Sequence, residues 1–381
     1  MTKHYEDEGI PFLRSLNIKP FKIISDDMKY VSAEFSNSLS KSILHKGDVV
    51  IVRTGIPGTC CVVPAEYDGC NCSDVVIVHP NTELVNPHYL AAYINFWGQR
   101  QIQNNKVGAI QQHFNVHSAE EMLIFLPDIT EQEKIAKTIV ALNGKIENNF
   151  SVCVELEAMA KTLYDYWFTQ FDFPNENGKP YCSSGDEMVW NDQLKRAIPK
   201  GWQVSSIGSV TRNYDSKRVP LSQNERDTMK GGIPYYGATG IMDYVNRHIF
   251  DGQYVLIAED GSVMDAKGNP IVQMIWGKTW VNNHAHVLQG CNGYSNELLY
   301  LLLQHIPVVK IMTGSIQKKI NQDNLNSYKI PQIPDPISQA FYEIVKPMFE
   351  KIQFLQAEND ELTKLRDWLL PVLMNGQATV E

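Results

Sequence analysis

Gly314-Ser-Ile-Gln-Lys-Lys-Ile-Asn321 restates, about 207 residues further on, the phrase Gly108-Ala-Ile-Gln-Gln-His-Phe-Asn115. A period of that length in a chain of 381 residues marks an internal duplication; solenoid repeats run only about 20–50 residues. Just downstream, Pro127-Asp128 with Thr130 and Gln132 resembles Pro334-Asp335 with Ser338 and Gln339. Upstream, Gly47-Asp-Val-Val-Ile-Val-Arg53 aligns with Gly252-Gln-Tyr-Val-Leu-Ile-Ala258, and Cys72-Ser-Asp-Val-Val-Ile-Val78 with Val281-Asn-Asn-His-Ala-His-Val287. Gly9-Ile-Pro-Phe12 echoes Gly232-Ile-Pro-Tyr235. A long amphipathic stretch follows each copy, so the order is globular unit, helix, globular unit, helix.

Within each unit the pattern is mixed α+β. Asp48–Val52 and Tyr254–Ala258 are β-rich runs preceded by Gly. Asn86-Pro87 then opens an apolar stretch, Tyr89–Phe96, that suits a helix capped by Asn with Pro in its first turn; its partner is Asn296–Leu303. A β-like segment, Met122–Leu126 or Tyr328–Ile330, closes each unit. The boundaries read as a first unit over 1–128, a helix over 129–170, a linker over 171–197, a second unit over 198–334 and a second helix over 335–375.

Thr130-Glu-Gln-Glu133 has the form of a capping box, a hydroxyl followed three residues later by a carboxylate. Behind it an apolar seam runs through Ile135, Ile139, Leu142, Ile146, Cys153, Leu156, Ala160, Leu163 and Trp167. The second seam starts near Pro336 and uses Phe341, Val345, Met348, Ile352, Leu355, Leu362 and Leu369. Asn149 and Asn359 interrupt them, as polar residues do where register is fixed at a cost in stability. Each stripe spans about 35 residues, roughly 50 Å of helix. A unit of ~125 residues has a radius of gyration near 14 Å. Mutual antiparallel packing of the two helices is therefore expected over two helices each folded onto its own unit. Between the first helix and the second unit lies Phe171-Asp-Phe-Pro-Asn-Glu-Asn-Gly-Lys-Pro180, a linker expected to be ordered by Phe171, Phe173 and Trp190.

With 43% hydrophobic and 20% charged residues the composition is globular, which excludes a disordered chain or a disulfide-dense mini-scaffold. No apolar run approaches the ~20 residues of a membrane span, and the start MTKHYEDEGI lacks a secretory pattern. Seven cysteines without framework spacing favour a reducing, cytoplasmic setting. The net charge is −9; residues 1–125 carry 10 Lys/Arg against 13 Asp/Glu, and residues 198–330 carry 13 against 10. Neither unit is a basic slab, so any nucleic-acid contact must come from local loops or from a larger assembly.

The phrases Leu163-Tyr-Asp-Tyr-Trp-Phe168, Phe171-Asp-Phe-Pro174, Met188-Val-Trp190 and Ile198-Pro-Lys-Gly-Trp202, with Gly314-Ser-Ile-Gln317 and Val281-Asn-Asn-His-Ala-His286, give the chain a family likeness over nearly its whole length. It resembles the DNA-specificity (S) subunit of type I restriction-modification systems. That resemblance implies two target-recognition domains, each reading one half of a split, asymmetric site in double-stranded DNA. It implies two long antiparallel helices between them that set the spacing and dock two methyltransferase (modification) subunits. The chain itself would be non-catalytic and hold no cofactor. S-adenosylmethionine, ATP and Mg would belong to the partner subunits, including the motor-nuclease restriction subunits. One departure stands out: the second unit opens with Ile198–Lys230 before its Gly-Ile-Pro-Tyr element, whereas only Met1–Glu8 precede the first.

Sequence reading needs polar side chains that reach base edges, and donors for phosphate. In the first unit the candidates are Arg14, Ser15, Asn17, Arg53, Thr54, Gln111, Gln112 and His113; in the second, Tyr236, Thr239, Ser262, Asn283, His284, Gln317, Lys318 and Lys319. A solvated polar turn with Ile110 and Ile316 packed inward is the bland alternative for the Gly-x-Ile-Gln loops.

Other chemistries fit less well. Asn86-Pro-His-Tyr89 has the look of an amino-methyltransferase loop, but helix capping explains it and no Gly-rich loop for S-adenosylmethionine precedes it. Cys60-Cys61 and Cys70-x-Cys72 could ligate zinc, yet adjacent cysteines suit a tetrahedral site poorly. His284-x-His286 places two imidazoles on one strand face without an evident third ligand. Pro127-Asp128 with Glu131 and Lys134 is superficially nuclease-like but sits at a helix start, where acids favour the dipole. No Gly-x-x-x-x-Gly-Lys loop for ATP is present. A stand-alone DNA adenine methyltransferase, or an interaction protein that has lost DNA reading, remain the alternatives.

Overall fold

The computed structural model describes residues 2–98, 115–265, 267–314 and 318–377. The chain divides into two compact units, residues 1–150 with 357–381 and residues 151–356. The division cuts both long helices, Ile129–Tyr164 and Asp335–Met374, so each unit owns a segment of each.

In the first unit, Ile10–Arg14 pairs antiparallel with Lys29–Val31 and parallel with Asn71–Ser73. A second sheet sets Val49–Val52 between Cys60–Val62 and Val75–Val78, both antiparallel. Val49–Val52 is an unbroken β-branched run buried along its whole length, the pattern of a strand covered on both faces. In the second unit, Lys230–Tyr236 pairs antiparallel with Ile241–Val245 and parallel with Lys278–Val281. Tyr254–Ala258 lies between Val272–Ile275 and Ala285–Gly290, again antiparallel to both.

The two pairing schemes are the same, so the duplication is one of topology. Phe12 faces Asn71 and Tyr235 faces Trp280, which agrees with the alignments of Gly9 on Gly232 and Cys72 on Val281. The Gly47–Gly252 alignment needs correction. Val78 faces Val49, while Val287 faces Leu256, so Val49 matches Leu256 rather than Tyr254. A slip of two residues keeps every side chain on its original face, which is why the hydrophobic pattern did not reveal it. Each unit also admits its first strand past a glycine: a Cβ on Gly9 would lie 2.5 Å from the Val31 carbonyl oxygen, and one on Gly231 would lie 2.5 Å from that of Val245.

The second unit has more. Thr211–Asn213 adds to the outer side of Ala285–Gly290, and Val204–Ser206 pairs antiparallel with Lys329–Pro331. In the first unit, residues 122–126 belong to no described strand, contrary to the expectation for Met122–Leu126. In the second unit the segment Ile198–Lys230 supplies these added strands.

Helix ends follow their caps. Asn86 Oδ1 accepts from His88 N at 2.9 Å and Tyr89 N at 3.2 Å, opening Pro87–Tyr93. That helix has the expected Asn cap and first-turn Pro, and passes into a π-turn at Ile94–Gly98. Ser295 caps Asn296–Gln304 through Leu298 N at 3.1 Å. The first long helix begins at Ile129, and Asp128 Oδ1 accepts from Glu131 N at 3.0 Å. Asp128, not Thr130, is therefore the cap; its carboxylate stands just ahead of the first helical residue and meets the free amides first.

In the first unit the paired helix segments are antiparallel: Asn149 meets Glu358 and Asn359, and Arg366 meets Asn143. Asn149 is 1% exposed; its amide donates to Glu358 Oε2 at 2.6 Å and Asn359 Oδ1 at 2.9 Å, while Asn359 Nδ2 donates to the Ile146 carbonyl at 3.1 Å. In the second unit, Cys153, Ala160, Phe341, Val345, Phe349, Ile352 and Leu355 are buried in one core. Tyr164, Trp167 and Phe168 crowd around Phe341, with ring centroids 4.9–6.3 Å apart. The linker is ordered by Phe171 and Phe173, both packed on Trp202. Trp190 takes no part in that core: it is 62% exposed on the hairpin of Met188–Asn191 and Arg196–Pro199.

Candidate nucleic-acid interface

Four segments of the second unit converge at one end of its sheets. The Tyr236 carbonyl accepts from Asn282 N at 3.0 Å, and Asn282 Oδ1 accepts from His284 N at 2.8 Å. His284 is bonded through Nδ1 to Asp260, whose backbone bridges to Lys319. Lys318 Nζ reaches Met264 Sδ at 3.9 Å. Thr239 sits on the turn closed by Gly237 N to Gly240 O, and Ser262 on the loop after Asp260; both are exposed, as is Asn283. The structure therefore brings Tyr236, Thr239, Ser262, Asn283, His284, Lys318 and Lys319 to one edge. Gln317 lies outside the described residues.

Behind this edge is an ionic network that the sequence reading missed. Asp215 Oδ2 lies 2.5 Å from His286 Nδ1, while Asp215 Oδ1 accepts from Val287 N at 2.8 Å. His286 Nε2 faces the Ile320 carbonyl at 2.8 Å. Arg218 donates to Glu259 Oε2 and to the Ala285 carbonyl, both at 2.7 Å, and Lys319 lies 3.0 Å from Glu259 Oε1. Burial alone would push the His286 imidazole down, but the Asp215 hydrogen bond and charge, with the Ile320 carbonyl, hold it above its usual value. Burial would likewise raise Asp215 and Glu259; His286 in one case, Arg218 and Lys319 in the other, hold both below the usual range.

Asp215, Glu259 and His286 have the spacing of a metal-ligand triplet. Arg218, Lys319 and the imidazolium already supply three positive groups to two carboxylates, so the cluster is neutralised from within. Its work is to pin the ends of three segments. The pair His284-x-His286 is thereby split: His284 is 47% exposed at the edge, whereas His286 is 2% exposed and structural. The available signals were Glu259-Asp260 at the end of a buried apolar strand and the Asp215-x-x-Arg218 pair.

The first unit has the same edge with different chemistry. Ser15 Oγ donates to Asp74 Oδ2 at 3.3 Å, and Thr54 Oγ1 bonds the same carboxylate. Arg53 is exposed beside them, its amide on the Asp74 carbonyl at 3.2 Å. Arg14 is committed elsewhere, to Asp27 at 2.9 Å; Lys29 and Arg14 together hold the Asp27 carboxyl down at about 2. Asn17 corrects the expectation made for it. It is fully buried, and its amide donates to the Ile24 and Asp26 carbonyls at 3.2 and 3.0 Å, so it shapes the loop rather than facing outward. Gln111, Gln112 and His113 lie outside the described residues.

The rejected chemistries have plain structural explanations. Cys60, Cys61, Cys70 and Cys72 are buried in two different core clusters, and burial pushes the Cys61, Cys70 and Cys72 thiols up to about 12. Asp128 is spent as a cap and Asn86 as another.

Residues 199–364 match the type I restriction modification DNA specificity domain. Over that stretch, less than half of its length, the chain is similar to this specificity domain. The specificity subunit of the type I restriction enzyme MjaIX from Methanocaldococcus jannaschii is 28% identical over 281 residues, 69% of this chain and 62% of that protein. That match thus spans less than two thirds of the relative's length. The HindI specificity subunit of Haemophilus influenzae is 22% identical across 92% of this chain and 91% of its own. The crystal structure of the type I restriction-modification S subunit from M. genitalium shares the fold, with a TM-score of 0.56 at 16% identity over 98% of this chain and 91% of that one. The matching edges of the two units carry different side chains: Ser15 and Thr54 on Asp74 in the first, His284 on Asp260 and Lys319 on Glu259 in the second.

Proposed function

We propose that this chain is the non-catalytic, sequence-specific DNA-binding subunit of a type I restriction-modification complex, each unit reading one half of a split, asymmetric site. The observation that carries this is the duplicated sheet topology whose matching loop edges bear different side chains: Arg53 beside a hydroxyl-bound Asp74 in one, Asn283, His284, Lys318 and Lys319 in the other. Equal scaffolds with unequal edges give two different half-sites. Gln, Asn and Lys can pair with base edges or phosphate. Neither edge carries enough positive charge for tight binding alone, since phosphate contacts supply much of the affinity.

The helix pair is the proposed spacer and docking surface for two methyltransferase subunits. Of the aromatic residues that end the first long helix, Tyr164, Trp167 and Phe168 are core residues, whereas Tyr166 is 38% exposed. Beside it Met159 and Ile344 are 56% and 41% exposed, an apolar strip off the seam. S-adenosylmethionine, ATP and Mg would enter with the modification and motor-nuclease subunits. The setting is taken as cytoplasmic, where seven free thiols are stable.

Methylome sequencing of a host carrying the chain with its partner subunits tests this reading. A split motif, one half of which changes when residues 230–320 are exchanged for those of another family member, is expected. Methylation indifferent to that exchange defeats the proposal.

A further inference from the structure

The loop edge of the second unit carries an apolar side chain that polar groups hold in place. Tyr235 pairs with Asp243 and Tyr236 with Ile241, so Met242 is an extra residue on its strand, a β-bulge. A bulge re-aims a side chain, and Met242 is 56% exposed. Its sulfur accepts from Asn282 Nδ2 at 3.3 Å. Asn282 is buried and its Oδ1 accepts from His284 N at 2.8 Å, so one amide ties the thioether to the His284 end of the edge. A thioether is a weak acceptor; a buried amide donor spent on it fixes the side chain at its sulfur.

The hairpin tip around it is fixed as well. Gly237 N donates to Gly240 O at 2.8 Å, and Gln273 Nε2 donates to Ala238 O at 3.0 Å. Gly237 leaves the thioether its place, since a Cβ there would overlap Met242 Sδ. The first unit puts the same residue type to another use. Phe12 faces Lys29 as Tyr235 faces Asp243, so Met28 falls on Met242. That pairing has no register shift, and Met28 is half-buried against the core cluster of Leu13, Val50 and Cys72. One methionine fills a core; the bulge turns the other outward at the edge that holds Asn283 and His284.

We propose that Met242 reads a thymine, its terminal methyl packing on the C5-methyl group that thymine presents in the major groove. Of the four bases only thymine offers an apolar group there. A side chain held at its sulfur leaves one methyl for contact, which suits a methyl-sized partner; insertion between base pairs needs an apolar wedge free to enter the stack. The polar neighbours Asn283, His284 and Lys318 take the base-edge and phosphate atoms beside it. The inference rests on the functional reading above and deepens it, because it names one base of the second half-site. The first unit makes no such contact through Met28, which belongs to its core.

The test uses the full chain assembled with its partner subunits, on duplexes of the methylation motif whose second half has been assigned by exchange of residues 230–320. Each thymine of that half, on either strand, is replaced singly by deoxyuridine, which removes the methyl and keeps every hydrogen-bonding group. Expected is about fourfold weaker binding at one position, the scale of one buried methyl. Met242→Ala should weaken binding of the unmodified duplex at least as much and be indifferent to deoxyuridine at that position. Met242→Gln, of equal length, should behave as Met242→Ala. The same scan of the first half, unchanged in both variants, shows that they are folded. Selective binding by the wild type with no sensitive thymine in the second half overturns the proposal. So does sensitivity that persists in Met242→Ala, or a rise in 2-aminopurine fluorescence in that half that Met242→Ala removes, the signature of an unstacking wedge. Loss of all sequence-selective binding is a different result: it defeats the functional reading, and the inference falls with it.

Discussion

Replacing Asn149 by Ala tests whether the helix seam is held in register by its asparagines. The side chain is 1% exposed and donates to Glu358 at 2.6 Å and Asn359 at 2.9 Å. The first bond has a charged acceptor and is worth about 1.5–3 kcal/mol; the second, neutral, about 0.5–1.5 kcal/mol. Glu358 keeps Lys145 at 3.2 Å, and Asn359 keeps the Ile146 carbonyl, so the remaining partners are not stranded completely. The expected local loss is therefore about 2–4 kcal/mol, or roughly 30- to 900-fold faster amide exchange across residues 142–150. Removing both polar partners is different. Asn149→Leu with Asn359→Leu leaves no orphan between the two positions, so the double variant should regain most of the stability while losing the register constraint. Native exchange rates in Asn149→Ala, or a double variant as damaged as the sum of the singles, would refute the reasoning.

Three further outcomes follow. Ile330→Ala should destabilise by about 2–5 kcal/mol, whereas Leu123→Ala, at the matching position with an exposed side chain, should stay within about 0.5 kcal/mol; equal losses in thermal melts would contradict the difference in side-chain burial. His286 is held above its ordinary value of 6.5, so its contribution is complete below that pH and is lost as pH rises through the folded-state value. Asp215 and Glu259, held below 3.8 and 4.5, contribute above those values and fail on acidification. Melts of the second unit should therefore weaken from pH 6.5 upward, and His286→Asn should flatten that slope; a pH-independent wild type between 6 and 8 would contradict it. Lys318→Ala should weaken DNA binding by the assembled complex for every sequence alike and reduce the salt slope by about 0.9. A changed recognition motif would instead place Lys318 on a base.

The sequence made the duplication, the long helices and their interrupting asparagines legible, because each is written in spacing. Apolar positions at helical period located the seam, and Asn149 and Asn359 stood out against it. What spacing does not encode is which polar groups satisfy one another across the fold. Arg14, Asn17 and Arg218 are equally plausible ligands on paper. The structure spends the first on Asp27, the second on two backbone carbonyls and the third on Glu259. The aromatic phrase before the linker was similarly ambiguous, since burial of Tyr164, Trp167 and Phe168 depends on Phe341, about 175 residues away.

The slip of two residues between Val49 and Leu256 and the exposed side chain of Leu123 share one cause. Strand faces repeat with period two, so sequence similarity conserves which side chains point inward but not which strand lies next to them. Leu123 and Ile330 are both apolar because both inherit the inward face of a closing segment. Their exposures of 81% and 3% differ because only Ile330 has Val204–Ser206 across from it.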